Sequence, residues 1–494
     1  MNREQMASKL PHGLWTEALR AAKVLMAANR VVIASHIDAD GVSAAAVAKS
    51  CLDRTGVAAE VRFFKKLDDA AIKSLAEASA DIVWFTDLGS GSVSKLEGLH
   101  CVVSDHHVPE SYGPGAKKGG QALLTDFSSV THVNPQIHGH SGATELSGAG
   151  STFLVAIAMD ERNMDLVALA VLGAIGDLQD QKTRKLEGLN AILVRAGEEA
   201  GVVRATEDIR YFGRETRPLH KMLEYSSDPF LPRITGNEEG AISFLLELGI
   251  ELKDGDEWRS WAMLEERERE AIITALRDHL EQNRRRPEVI QRLTGEVYEF
   301  RKEAEGSPLR DAKEFSTLLN ACGRHGKAEI GLRVCMGDRE VSLQEGIALL
   351  RDHRSALSKA LTWAKGSGVI RMKNIQFFDA GDEIEDTIVG TVAGMLLGSE
   401  GADRTAPMVA FAESTEFSER PKSKASARGT QELVSKGMDL SIAIRTAAEK
   451  VGGVGGGHNI AAGATIPEDR KEEFLETLDQ IVGSQLVSPG TRRG

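Results

Sequence analysis

The chain has 494 residues, 41% hydrophobic and 27% charged, with a formal net charge of −13, which gives room for two or three domains with sizeable cores. This acidic balance excludes a surface that coats nucleic acid over its whole area, though not a local basic groove, and no apolar stretch reaches the roughly 18 residues of a membrane span. Four scattered cysteines (Cys51, Cys101, Cys322, Cys335) without a Cys-x-x-Cys pair, and an N-terminus without a signal pattern, point to reduced core thiols in a cytoplasmic protein.

Leu14–Ala28 has the spacing of an amphipathic helix. A strand at Val31–Ala34, a helix from about Val42 to Thr55, a strand at Ala59–Phe64 and a helix at Asp68–Ala78 follow. Strands come next at Ile82–Thr86 and Cys101–Val103. Short apolar runs bounded by glycine and polar residues are the pattern of buried parallel strands. Their alternation with helices predicts a doubly wound α/β sheet within residues 1–200. Tyr112 to Gly120 is loop-like and Asn134-Pro135 is a turn; Ser147–Thr152 leads into a helix at Phe153–Met159. The longest apolar run, Leu166–Ile175, is a buried helix ending at Gly176-Asp177.

From 201 to 305 the composition shifts to charged helical patterns, Glu265–Arg286 above all, broken by Pro218, Pro229, Pro232 and Pro287. This predicts a mainly helical connecting or inserted region, with one helix at Glu257–Gln282 followed by a solvated run, Arg284-Arg285-Arg286. Residues 306–485 predict a second, smaller α/β domain that closes a cleft. It has a long helix at Leu343–Ala364, strand-like runs at Val369–Met372, Ile388–Leu397 and Met408–Phe411, and a glycine cluster from Gly452 to His458. The pairs Phe63-Phe64 and Phe377-Phe378 suit a core better than a stacking platform. Ser488–Gly494 is a frayed end.

The chemistry lies where strands end. Ser35-His36-Ile37-Asp38-Ala39-Asp40-Gly41, Thr86-Asp87-Leu88-Gly89-Ser90-Gly91 and Ser104-Asp105-His106-His107 each follow an apolar run. Loops beyond parallel strand ends collect in one crevice, and so many carboxylates together require cations. Oxygen ligands mixed with imidazoles suit two divalent ions, Mn²⁺ or Mg²⁺, as in two-metal phosphoryl hydrolases. Asp87 takes the bridging position; His36 and Asp38 serve one ion, and Asp40, His106 and Asp177 the other. His107 is placed to meet a scissile phosphate, and Asp105 orients an imidazole. Each piece has a plainer use: Asp87 as a helix cap, Asp177 as a solvated helix end, and Asp-x-Asp as a turn. The ordered set makes those uses jointly improbable. In the C-terminal glycine run, the N–H groups of Gly455, Gly456 and Gly457 with His458 suit a phosphate, or only a tight turn. Ser147–Thr152 opens a helix and suits an anion, or packing. Arg420, Lys422, Lys424 and Arg428 form a candidate basic stretch.

The order His-x-Asp-x-Asp-Gly, Asp-Leu-Gly-Ser-Gly, Asp-His-His, Gly-x-x-Gly-Asp resembles the four motifs of the DHH phosphoesterase superfamily. Gly455-Gly456-Gly457-His458-Asn459 resembles its C-terminal DHH-associated domain, and Ser426-Ala427-Arg428 its serine-x-arginine phosphate contact, where a guanidinium fork suits phosphate. The whole is most similar to archaeal RecJ-like exonucleases. The resemblance implies metal-dependent, usually Mn²⁺-stimulated, hydrolysis of single-stranded nucleic acid from one end, substrate held by the C-terminal motifs, and association with the GINS replication complex. Three other readings stand beside it: a phosphodiesterase of short oligonucleotides or cyclic dinucleotides, a pyrophosphatase, and a replisome scaffold. The six intact candidate ligands speak against the scaffold. No additional oligonucleotide-binding β-barrel of the bacterial RecJ kind is legible, so polarity and sugar preference do not transfer.

Overall fold

A computed structural model of the protein describes residues 2–110, 130–399, 401–414 and 421–486. The loop expected from Tyr112, the end expected at Ser488–Gly494, and Arg420 of the basic stretch lie outside the described residues. The chain divides into two compact units, Met1–Leu350 and Arg351–Gly494.

The first unit is built on five parallel strands: β1 (Arg30–His36), β2 (Ala58–Phe64), β3 (Ile82–Thr86), β4 (Cys101–Ser104) and β5 (Val130–Val133), in the order β2-β1-β3-β4-β5. Alternate side chains serve opposite faces. Val31 and Ile33 join Trp84 and Val102 in one core, while Val32 and Ala34 join Phe85 and Val103 in another. Helices His12–Met26, Ala39–Thr55, Gly148–Met159 and Val167–Gly176 cover the first face, and Asp69–Ala76 the second. The sheet is doubly wound. Each fully buried Leu, Val or Phe in these layers is worth about 1.5–3 kcal/mol.

Register then places the chemistry. Ser35 pairs with Thr86, Thr86 with Ser104, and Ser104 with Val133. One residue beyond this row lie His36, Asp87, Asp105 and Asn134, so four distant segments deliver polar residues to one edge of the sheet.

β6 (Val203–Ile209) and β9 (Thr294–Phe300) pair antiparallel and form a stem for the residues between them. Those residues have their own core, including Leu219, Met222, Leu245, Trp261, Ile272 and Leu276. The helix expected at Glu257–Gln282 begins only at Glu266. Glu257-Trp258 (β8) instead pairs with Lys253-Asp254 (β7) across a turn with Gly255 at φ 59°, and the Glu265 N–H is capped by the Glu268 carboxylate. Helices Ala312–Arg324 and Ala328–Cys335, which composition groups with the C-terminal domain, bury Phe315, Leu318, Leu319 and Val334 in the core of the first unit. The boundary between the two compact units falls after Leu350.

The second unit is a six-stranded sheet in the order β10-β11-β12-β13-β15-β14. Its strands are β10 (Ile370–Arg371), β11 (Gln376–Asp379), β12 (Met408–Glu413), β13 (Lys422–Arg428), β14 (Val454–Gly457) and β15 (Ala461–Pro467). Helices Leu440–Lys450 and Lys471–Leu486 pack on Val409, Phe411 and Ala425. On the other face, Met408 and Ala410 meet helix Val389–Gly398. That helix corrects the strand expected at Ile388–Leu397: Val389, Val392, Ala393, Leu396 and Leu397 fall at helical spacing on one buried stripe. The basic stretch is strand β13, with Lys422, Lys424 and Arg428 half-buried on alternate positions.

Cys51, Cys101 and Cys322 are buried and free, and burial pushes their thiols up to about 12. Among the described residues no helix is long and apolar enough to cross a membrane.

Candidate metal centre

His36 ends β1, and the chain turns at once into helix Ala39–Thr55. Asp38 caps that helix, accepting the Gly41 N–H at 3.0 Å, and Asp40 lies in its first turn. The turn is tight enough that a Cβ on Gly41 would sit 2.3 Å from the His36 carbonyl oxygen. Asp87, just past β3, has φ 58°, a left-handed conformation rare outside glycine and typical of constrained sites. Asp40 is buried, and its two oxygens accept the N–H groups of Gly148 (2.7 Å) and Ala149 (2.9 Å) at the start of helix Gly148–Met159. The anion at that helix N-terminus is therefore the protein's own carboxylate.

These placements bring His36, Asp38, Asp40, Asp87, Asp105, His106, His107 and Asp177 together. His36, Asp38 and Asp87 form one group with the proximity a cation needs; Asp40, His106 and Asp177 form a second. The groups adjoin: His106 Nε2 is 3.2 Å from Asp87 Oδ1 and 3.8 Å from Asp40 Oδ2, while His36 Nδ1 is 3.7 Å from Asp87 Oδ2. Two glycines make room for the carboxylates. A Cβ on Gly148 would fall 2.4 Å from Asp87 Oδ1, and one on Gly173 2.2 Å from Asp40 Oδ1.

Sequence reading missed the residues that hold these groups still. His106 Nδ1 donates to the Gly142 carbonyl at 2.6 Å, which leaves Nε2 unprotonated for a metal once the ring is neutral. Gln136 donates to the His106 carbonyl, and Asn134 to the His107 carbonyl and to Ser90 Oγ. Asp105 accepts from the Ser90 N–H, the His106 N–H and His107 Nδ1 (2.8 Å), as an orienting carboxylate should. Gln179 donates to Asp177 and to the Gly142 carbonyl. The one available signal was Asn134, which follows an apolar run as Asp87 and Asp105 do.

The electrostatics call for cations. Burial, reinforced by Asp40 and Asp38, raises the Asp87 pKa well above the usual carboxylate range. Burial also raises Asp177 to about 6. Burial works against charge on His106, but Asp177, Asp40 and Asp105 outweigh it and raise the ring to about 9. The imidazolium thus substitutes for a cation. Buried Asp87 Oδ1 and His36 Nδ1 have no aligned hydrogen-bond partner, despite neighbours at 3.2 and 2.9 Å. A divalent ion in each group would satisfy both atoms, so the donor set fits Mn²⁺ or Mg²⁺. Binding must then expel the His106 proton. Mn²⁺ affinity is expected to rise from pH 6 towards pH 9, with proton release seen by calorimetry in buffers of different ionisation enthalpy. A flat pH profile would contradict this account.

The expected substrate residues lie in the second unit. Ser426 pairs with Gly463, and Gly463 with Gly456, so the three form one row across β13, β15 and β14. Arg428 runs beside helix Val389–Gly398, where a Cβ on Gly390 would meet its guanidinium at 2.5 Å. Gly455, Gly456 and Gly457 form the edge strand, and His458, exposed at its end, donates its N–H to the Ala461 carbonyl.

Residues 211–294 match the DHH-CID domain model and residues 372–484 the DHHA1 domain model. An uncharacterised protein of Methanocaldococcus jannaschii is 27% identical over 478 residues, 95% of this chain and 97% of that protein. RecJ of Thermus thermophilus in complex with Mn²⁺ is similar in structure with a TM-score of 0.56 and 19% identity over 96% of this chain. The match spans 55% of that RecJ chain. An exonuclease RecJ bound to manganese gives 0.53 at 18% identity, covering 95% and 94% of the two chains. CDC45 of Entamoeba histolytica gives 0.62 at 10% identity, covering 98% and 99%. At these identities the solved structures share the fold.

Proposed function

Because the chain belongs to the DHH phosphoesterase superfamily, with a RecJ-like fold and a C-terminal DHHA1 domain, we propose that it is a two-metal exonuclease of single-stranded nucleic acid, DNA before RNA, with a role in replication or repair. The observation that carries this reading is the pair of adjoining groups, His36/Asp38/Asp87 and Asp40/His106/Asp177, around the buried Asp87 carboxylate. Asp87 would be the carboxylate shared by the two ions, with His36 and Asp38 completing one site and Asp40, His106 and Asp177 the other. Two divalent cations held there would neutralise phosphate oxygens and make a water acidic enough to attack.

The chain's own side chains do the rest. Asp105 holds His107 Nδ1, so the other ring nitrogen of this half-exposed residue is free for the scissile phosphate. Burial opposes charge on His107, yet in the metal-free protein Asp105 raises its pKa to about 9. Asp40, Asp87, Asp105 and His106 are buried, and only His36, Asp38, His107 and Asp177 give access. A recessed site of this kind admits a single strand more readily than a duplex. Ser426, Arg428 and the Gly455–His458 segment are the proposed contacts to strand phosphates, through hydroxyl, guanidinium and bare N–H groups. Association with a GINS-type replication complex is part of the same reading, and capture from native extract tests it.

The decisive assay is digestion of 5′- and 3′-labelled DNA and RNA strands of graded length, with Mn²⁺ and with Mg²⁺. Stepwise shortening of long strands from one end is expected. Hydrolysis confined to di- to tetranucleotides would favour a short-oligonucleotide phosphodiesterase, and none at all would overturn the enzyme reading.

A further inference from the structure

Resting on the two-cation reading above, we infer that Arg210, at the threshold of the inserted region, is a positioning residue that aims Asp177 at its cation by clamping Asp180. Helix Val167–Gly176 ends at Asp177, and the next residue, Leu178, takes the left-handed φ of 58°. Helix ends of this kind normally use glycine. Leu178 is 55% exposed, so burial of its side chain does not compensate the strain. A strained residue persists only where its surroundings fix it.

The fixing comes from the two residues that follow. Gln179 donates to Asp177 Oδ2 at 3.1 Å and to the Gly142 carbonyl at 2.8 Å, the same carbonyl that orients His106. Asp180, 1% exposed, accepts Arg210 Nη2 at 2.5 Å, and its carbonyl accepts Nη1 at 3.2 Å. Lys313 stands 4.0 Å from the same carboxylate and donates to the Arg210 carbonyl. Arg210 itself is anchored: its N–H donates to the Leu293 carbonyl, closing the base of the inserted region. Arg184 and Gln291 add a second tie between the same loop and that base. The inserted region therefore holds the Asp177 turn from one side, while helix Gly148–Met159 holds Asp40 and the Gly142 carbonyl holds His106 from the other. His36, Asp38 and Asp87 take no part in this linkage.

The test is Mn²⁺ titration of the full chain, followed by electron paramagnetic resonance, with melting temperature recorded in parallel. The parent should bind two ions. In Arg210→Gln, one ion should weaken by about 10-fold or more, the scale set by residues that orient metal ligands, while the other keeps its affinity. Arg210→Lys should lose less. Because a lone buried Asp180 risks misfolding, the paired change Asp180→Leu with Arg210→Met removes both charges and leaves apolar packing; it should weaken the same ion without lowering the melting temperature. Adding Leu178→Gly to Arg210→Gln should return part of the loss, since glycine takes the turn without strain. Unchanged affinity in a folded variant, or equal weakening of both ions, overturns the inference. A parent that binds no Mn²⁺ overturns the two-cation reading and this inference with it.

Discussion

Asp87→Asn should abolish hydrolysis and, at the same time, make the metal-free protein harder to unfold. The first effect follows from the position of Asp87, a member of the first ligand group whose Oδ1 lies 3.2 Å from His106 Nε2 of the second. Losing its charge removes several kcal/mol of stabilisation that the ions lend to the reacting phosphate, or at least ~10³-fold in rate. The second follows from the direction of its titration. Burial, with Asp40 and Asp38 nearby, raises the Asp87 pKa well above that of an unfolded chain. Between those two values the folded state holds a proton that the unfolded state has released, so stability falls as pH rises through the window. At neutral pH, above the unfolded-chain value, Asp87 therefore costs the metal-free fold stability, and a neutral isostere of the same shape relieves that cost. Melting curves in chelator should put Asp87→Asn above the parent at pH 7.5 and level with it in acid. Mn²⁺ should raise the parent's melting temperature and leave the variant's almost unchanged. A variant that still digests strands, or that melts lower than the parent in chelator, would falsify the shared-ligand assignment.

The opposed effects at Asp87 explain why the cluster was legible in the sequence. A group of buried acids that destabilises the empty protein is unexpected in a core, and its segments announce themselves by following short apolar runs. The row Ser35, Thr86, Ser104, Val133 turns that pattern into geometry. Other parts were silent because their partners are remote. Gln136 reaches the His106 carbonyl across 30 positions and Gln179 the Gly142 carbonyl across 37, and a glutamine with a distant partner looks like any polar residue. Gly148 and Gly173 gave no sign of their closeness to Asp87 and Asp40. The segment Lys422-Ser-Lys-Ala-Ser-Ala-Arg428 lacks β-branched residues, yet it is a central strand because β12 and β15 pair on either side; tertiary pairing overrides propensity there. The reverse error, a strand read into Ile388–Leu397, came from valine and isoleucine in a run whose spacing was helical.

Arg214→Met should cost about 3–5 kcal/mol of stability, the range for removing one partner from a buried ionic group. Its guanidinium, 4% exposed, donates to Asp208 at 2.7 Å and Asp311 at 3.0 Å, with Glu299 at 3.4 Å. Those carboxylates belong to the two strands of the stem and to the cap of helix Ala312–Arg324, so one cation ties three separate segments. After substitution some relief remains: Arg269 lies 3.9 Å from Asp208, and Arg204 and Arg310 each 3.9 Å from Glu299. Asp311 loses its only close cation among the described residues and keeps the Lys313 and Glu314 N–H groups. Without their shared cation the three acids repel one another in the folded state. Urea unfolding followed by circular dichroism should show that loss at pH 7.5. A loss near zero would mean that Arg204, Arg269 and Arg310 take over the charge balance.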